Sequence, residues 1–252
     1  LPYNRSKYTK YRLLKRSAKI SRYLPKTLRM SKKHFRSMLS KYKKVIVKPS
    51  VGSKGSGVMS VSSLKGGRYK VQYGKKKKTV SSRQAAYSYI RNKSKNRSLI
   101  VQKKIRLAKV KGRPFDVRIM IQRKENRSWV VTGKLAKVAG SGYIITNVNR
   151  SGGKVLPLTR AIRSSNIKHK SKTKIKRKLN TLAVRTAVHL SKYYDIRIIG
   201  LDVGLDRRGK PWIIEANFKP AKSMFLKLKD KSMYRRIMAF HRKDHPLSDW
   251  NL

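Results

Sequence analysis

Nine carboxylates serve a chain that carries 68 lysines and arginines. The resulting net charge of +59 repels itself and opposes compaction. Its apolar residues are gathered into strand-like runs, so a core is possible, and its stability should depend on salt. Three of the nine acids, Asp202, Asp206 and Glu215, lie in one stretch, IIGLDVGLDRRGKPWIIEANFKP, from Ile198 to Pro220. It reads as a hairpin: an apolar strand, a turn at Asp206-Arg207-Arg208-Gly209, and a second apolar strand from Pro211 to Ala216. Glu215 and Asn217 are two residues apart and so share a face, and Asp202 on the partner strand can oppose them. Two carboxylates and an amide oxygen, with no thiol or imidazole nearby, suit a hard cation such as Mg2+. The alternative is that these acids balance local Lys and Arg. Acids inside a run of Ile, Leu and Trp cost desolvation and need a reason, which favours the metal.

A length of 252 residues fits one large domain or two interlocked lobes. The chain has no cysteine, which excludes disulfides and thiolate metal sites. It shows no apolar run of spanning length and no signal-peptide pattern, so the expectation is cytoplasmic. The charge is spread along the whole length, which favours a generally cationic surface. Polyanions follow as partners: nucleic acid, an anionic membrane or wall polymer, or a polyglutamate-like chain.

Residues 1–23 are basic with interleaved tyrosines, with a helix over Lys10–Ser21; they are an interaction arm or an ordered lead-in. Ser31–Tyr42 reads as a helix capped by Ser31. Strands are expected at Lys44–Val47, Val58–Leu64 and Arg68–Tyr73, with Lys75–Lys78 at a solvated hairpin tip. A helix over Ser81–Asn92 and a strand over Leu99–Ile105 follow. Phe115–Arg123 and Ser128–Val138 alternate as two long antiparallel strands, and Tyr143–Thr146 reads as another strand. Thr173–Tyr193 keeps a 3.6-residue apolar period, and Ala221–His241 reads as a terminal basic helix. This order is α+β with antiparallel sheets rather than a run of βαβ units.

Between the first two strands, SVGSKGSG (residues 50–57) has the composition of a backbone cradle for phosphate. Val58-Met59 stand where a P-loop needs Lys and Ser or Thr, and the loop joins two strands instead of opening a helix. Lys48, at the preceding strand's end, can reach the same phosphates. The five histidines are dispersed; His241 and His245 share a helical spacing without a third ligand.

A VIVKP strand, a Gly/Ser-rich loop, a PFDVR strand, an Asn-x-x-Arg-x-Gly-Gly loop and a final IIEAN strand occur here in one order. Together they resemble the ATP-grasp superfamily. GRPFDVRIMIQ, TGKLAKVAG and ITNVNRSGG resemble its spore-coat-associated YheC/YheD family, and the resemblance covers about Leu24–Pro220. It implies an ATP-grasp fold: two α+β lobes with antiparallel sheets clasping a nucleotide. The small lobe would span 24–105, the large lobe 106–220, and a basic helix and tail, 221–252, would pack on the large lobe. Only about 24 residues precede the matching region, so a full N-terminal pre-ATP-grasp domain is not expected, and a partner protein could supply part of the substrate site.

The resemblance also implies roles. Lys48 would bind the α- and β-phosphates of ATP under a lid of Ser53, Lys54, Gly55, Ser56 and Gly57. Gln102, Lys103, Lys104 and Ile105 would form the hinge against adenine, although the two lysines replace an acid that many relatives turn toward the ribose. Arg118 and Lys137 would contact the γ-phosphate, and Asn147 and Arg150 would hold an acyl phosphate. Asp202, Glu215 and Asn217 match the magnesium ligands. The implied activity is ATP-dependent carboxylate–amine ligation through an acyl phosphate, on an acidic peptide or anionic polymer, in a sporulating cell. The competing reading is a non-catalytic polyanion binder, for nucleic acid or a coat polymer, on the same scaffold.

Overall fold

The computed structural model describes residues 6–52, 55–95, 97–124, 128–144, 146, 148–168 and 171–242. Two helices, α1 (Lys7–Lys15) and α2 (Ala18–Ser21), precede β1 (Thr27–Arg29), α3 (Lys32–Tyr42), β2 (Lys44–Pro49) and β3 (Met59–Ser63). Next come β4 (Tyr69–Tyr73), β5 (Lys76–Val80), α4 (Arg83–Lys93) and β6 (Leu99–Lys103). The second half runs β7 (Lys109–Val110), β8 (Arg113–Gln122), β9 (Val130–Val138), α5 (Val148–Ser151), β10 (Lys154–Pro157), α6 (Leu158–Arg163) and α7 (Lys172–Ser191). It closes with β11 (Ile198–Leu205), β12 (Pro211–Asn217), a 3-10 turn (Ser223–Lys227) and α8 (Ser232–Arg242). With no acid available for a first turn, hydroxyls do the capping. Ser31, Ser82 and Ser171 accept from the backbone N–H of His34, Ala85 and Lys174, each satisfying a donor that the helix cannot.

The strands form two antiparallel sheets, ordered β1-β6-β2-β3-β4-β5 and β10-β9-β8-β11-β12, with β7 paired to β8. In the small sheet Val45, Val47, Val61, Val71 and Val101 pack with Phe35, Leu39 and Ile90 of α3 and α4. The alternate residues, including Lys44, Lys48, Ser60 and Gln102, therefore face the other way, toward the large lobe. In the large sheet Val117, Ile119 and Ile121 pack on one side with Ile175, Leu179 and Leu182 of α7. Met120 and Leu135 pack on the opposite side with Phe225 and Ile237. That second face is apolar at one end, beneath α8, and charged at the other.

The antiparallel α+β architecture and the central hairpin agree with expectation. Four readings are corrected. Lys76–Lys78 belong to a paired edge strand, each lysine opposite a β4 residue, because backbone pairing overrides their low strand propensity. Tyr143, Ile144 and Thr146 carry no strand. The segment after them, whose composition reads as a polar loop over Asn147–Lys154, leads through α5 and β10 into α6. The expected helix over Ala221–His241 breaks into a 3-10 turn and α8, where Asp230 accepts from Ser232 N and Oγ, both at 2.8 Å. Residues 6–23 are an integral part of the fold, since Leu13, Leu14 and Ile20 enter the large-lobe core.

Candidate functional site

Register alone assembles a row of ionic residues on the charged end of the large sheet. Asp116 on β8 is opposite Lys137 on β9. Arg118 on β8 is opposite Asp202 on β11, Asp202 is opposite Glu215 on β12, and Gly200 is opposite Asn217. Directly opposed residues point to one face, so three of the nine acids meet two cations and an amide there. A bulge after Asp202 keeps this alignment while the rest of the hairpin shifts by one residue.

Arg118 holds Asp202 with two prongs, Nε to Oδ1 at 2.7 Å and Nη2 to Oδ2 at 3.1 Å. Lys137 Nζ lies 2.8 Å from Asp202 Oδ1 and 3.1 Å from Asp116 Oδ1. Burial raises the pKa of the Asp202 carboxyl, but the Arg118 and Lys137 charges outweigh it and hold it well below the usual range. Asp116 goes the other way: burial pushes it up to about 6 against the pull of Lys137. The Thr146 hydroxyl donates to Asp116 Oδ2, tying the loop after β9 to the row. At the base of that loop Gly140 donates its N–H to Ser151 Oγ at 3.1 Å, and a Cβ there would sit 1.5 Å from Ser151 O.

The small lobe brings Lys48 to the opposite wall. Its ammonium donates to Gln102 Oε1 at 3.1 Å and, across the cleft, to Ile214 O at 3.3 Å. Burial lowers its pKa to about 8, with Glu215 and Asp202 partly opposing. Gln102 is fixed by donating to Thr27 Oγ1 at 2.8 Å. Of the lid, Ser56 is exposed, and Gly55 and Gly57 take positive φ. A Cβ on Gly57 would approach Pro49 Cγ to 2.8 Å, so this position requires glycine.

The other expected hinge residues have partners of their own. Lys103 lies over the rings of Tyr42 and Trp212, Lys104 donates to Ser60 Oγ at 2.8 Å, and half-buried Ile105 accepts from Leu107 N at 3.1 Å. Ser53, Lys54 and Asn147 lie outside the described residues, as does the side chain of Arg150, whose backbone is in α5. His245 and the His241 side chain also lie outside them.

Sequence reasoning missed four contributors. Lys7 of α1 pairs with Glu215 Oε1 at 3.2 Å and donates to Gly52 O at the base of the lid, while its backbone N–H donates to Ser50 O at 2.7 Å. Lys10 donates to Ala216 O at 2.6 Å and lies over Phe218; burial lowers its pKa to about 8. Asp116 and Thr146 complete the set. Asp116 was legible in principle, because it is the first acid in the chain and lies in the PFDVR run.

Beside this row a small pocket is lined by Lys7, Lys10, Thr27, Lys48, Gln102 and Glu215, among others. The donor set of Asp202, Glu215 and Asn217 has the hard-oxygen chemistry of a Mg2+ site. Both carboxylates already have cationic partners, so a metal would have to share or displace Lys7 at Glu215.

A family model described as YheC/D-like ATP-grasp matches residues 2–241. The chain is 27% identical to the endospore coat-associated protein YheD of Bacillus subtilis (strain 168) over 228 residues, 87% of this chain and 49% of the relative. It is 26% identical to YheC of the same organism over 229 residues, 88% of this chain and 61% of the relative. It therefore spans only about half to three fifths of those proteins. Among solved structures, the ATP-grasp ligase PsnB complexed with a phosphomimetic variant of minimal precursor, Mg and ADP superposes with a TM-score of 0.56 at 13% identity, covering 96% of this chain and 59% of that one. The D-cycloserine synthetase DcsG gives 0.55 at 13% identity, covering 94% and 70%.

Proposed function

The chain belongs to the YheC/D-like ATP-grasp family, and from that premise we propose that it is an ATP- and Mg2+-dependent carboxylate–amine ligase. The observation that carries the reading is the Asp202–Arg118–Lys137 cluster facing Lys48 across a cleft. Phosphoryl transfer is mainly positioning and charge neutralisation, and this cluster has the parts for both. When bound, ATP and Mg2+ would supply the transferable phosphoryl group and the neutralising charge. Lys48 and Lys7 would hold phosphate oxygens, and Asp202, Glu215 and Asn217 would hold the metal. Arg118 and Lys137 would face the charge that develops on the γ-phosphate.

In the reaction proposed, a substrate carboxylate oxygen bonds to the γ-phosphorus and the bond to ADP breaks. An amine nitrogen then bonds to the acyl carbon, phosphate leaves, and the amine proton is lost. Asn147 and Arg150 are assigned to the acyl phosphate by the family resemblance of the Asn-x-x-Arg-x-Gly-Gly run. The substrate proposed is an acidic peptide or anionic polymer, drawn by the +59 surface, and association with the spore follows the names of the B. subtilis relatives. No helix among the described residues is long and apolar enough to cross a membrane.

A second reading, a polyanion binder on this scaffold, is favoured by one observation: no acidic residue occurs before Asp116, so the entire small lobe is cationic. Calorimetric titration of ATP with Mg2+ into wild type and Glu215→Ala at moderate salt separates the two. Binding that needs both magnesium and Glu215 supports the ligase. Absence of binding in wild type leaves the charge as the function.

A further inference from the structure

The cleft-facing side of the small sheet carries a second cationic cluster that the proposed ligase site does not use. Lys44, Ser62 and Lys70 stand in register across β2, β3 and β4. Lys104 follows β6 beside them, its backbone N–H 3.2 Å from Lys44 O and its ammonium 2.8 Å from Ser60 Oγ. All share the face of Lys48, opposite the core-facing Val45 and Val61. On that face Gln72 donates to Gly142 O of the large lobe at 2.8 Å, so the cluster sits where the lobes meet.

Among the described residues the cluster has no countercharge. No acid precedes Asp116, and the ion pairs among the described residues involve none of these lysines. Burial, then Lys44 and Lys70, press the Lys104 ammonium below its usual range, with no carboxylate opposing them. Lys44 and Lys70 lie close enough to act on Lys104, so the three ammoniums repel one another unless an anion enters. They offer more donors than one carboxylate can accept, whereas a phosphate group presents several strong acceptor oxygens. At about 3.3 Å per residue, Lys44, with Ser62 and Lys70 in its register, lies about 13 Å along β2 from Lys48, and Ser60, opposite Ile46, about 7 Å.

We propose that Lys44, Lys70 and Lys104, with Ser60 and Ser62, form an oxyanion site that takes a phosphate group, either free or on a larger molecule. The site stands on its own geometry, whatever the fate of the ligase reading.

The test is titration calorimetry with inorganic phosphate and with glycerol 3-phosphate, at constant ionic strength set by chloride. The proteins are wild type, Lys44→Gln/Lys70→Gln, and a charge-matched control, Lys174→Gln/Lys178→Gln, on the exposed side of α7. Loss of two charged hydrogen-bond donors should weaken binding by tenfold or more, roughly, while the control stays within about twofold. The cluster variant should also unfold at higher temperature without phosphate and lose the rise that phosphate gives wild type. Tighter binding of the ester would mark a group on a larger molecule, and tighter binding of inorganic phosphate a free anion. Equal weakening in both variants, or no phosphate binding in wild type, would overturn the proposal.

Discussion

Arg118 and Asp202 oppose each other across β8 and β11 and close a two-pronged ion pair, 2.7 and 3.1 Å, on the cleft face of the large sheet. The pair is largely shielded, with side chains 9% and 15% exposed. It fixes a carboxylate where the chain otherwise carries almost none. Removing one partner should be costly, since the other is left charged and desolvated. Asp202→Asn is therefore expected to lower stability by about 3 kcal/mol, read as the urea midpoint at unchanged slope. An unchanged midpoint would mean that Arg118 and Lys137 find other partners.

Lys48 sets an expected pH dependence for nucleotide binding. Its folded pKa, about 8, lies below the ordinary 10.5, so the free protein loses this positive charge as pH rises through 8. ATP affinity should fall over that range, with proton uptake on binding. Lys48→Arg should flatten the profile, because guanidinium stays charged. Buffer-dependent calorimetry at two pH values tests this; an identical slope in the arginine variant would remove Lys48 as the cause.

Asp116 makes a separate mark on stability. Its folded pKa, about 6, is above the ordinary 3.8, so the unfolded chain releases this proton first as pH rises. The Asp116 contribution to stability should then decrease between roughly pH 4 and 6 and level off above. Asp202, depressed in the fold, works in the opposite sense and loses its contribution as pH falls. Asp116→Asn should remove the descending part; denaturation curves that keep their difference from wild type constant over this window would refute it.

Gly57→Ala tests the lid. With φ at +72° and Pro49 Cγ 2.8 Å from a modest methyl, the variant should cost about 1–2 kcal/mol of local strain. Because the loop is peripheral to both cores, the loss should be seen mainly as weaker ATP binding. A thermal midpoint that falls while ATP affinity stays unchanged would argue that the loop does not cover the nucleotide.

Lys7 couples the first helix to the lid and to Glu215. Lys7→Met keeps the length of the side chain without its charge. ATP affinity should drop by about tenfold or more for a lost charged contact, with the fold held by Leu13 and Leu14. Isothermal titration with Mg2+ and ATP is the measurement, and full affinity in the variant would assign Lys7 to structure alone.

Much of this was legible before any coordinates. Alternation marked β8, β9 and the β11–β12 hairpin, a serine marked the start of α3, and the scarcity of acids singled out Asp202 and Glu215. These signals are local, because side-chain direction repeats every two residues in a strand and capping acts within one turn. The tertiary structure decided what depends on partners far away in sequence. It turned the Lys76–Lys78 run into a strand by giving it β4 as a neighbour, and it brought α1 against Glu215, so that residues expected as an arm line the cleft. It also joined Asp116, Lys137 and Asp202 into one network. Composition can say that acids are few, but only strand register determines which of them stand side by side, and that register is a property of the closed sheet.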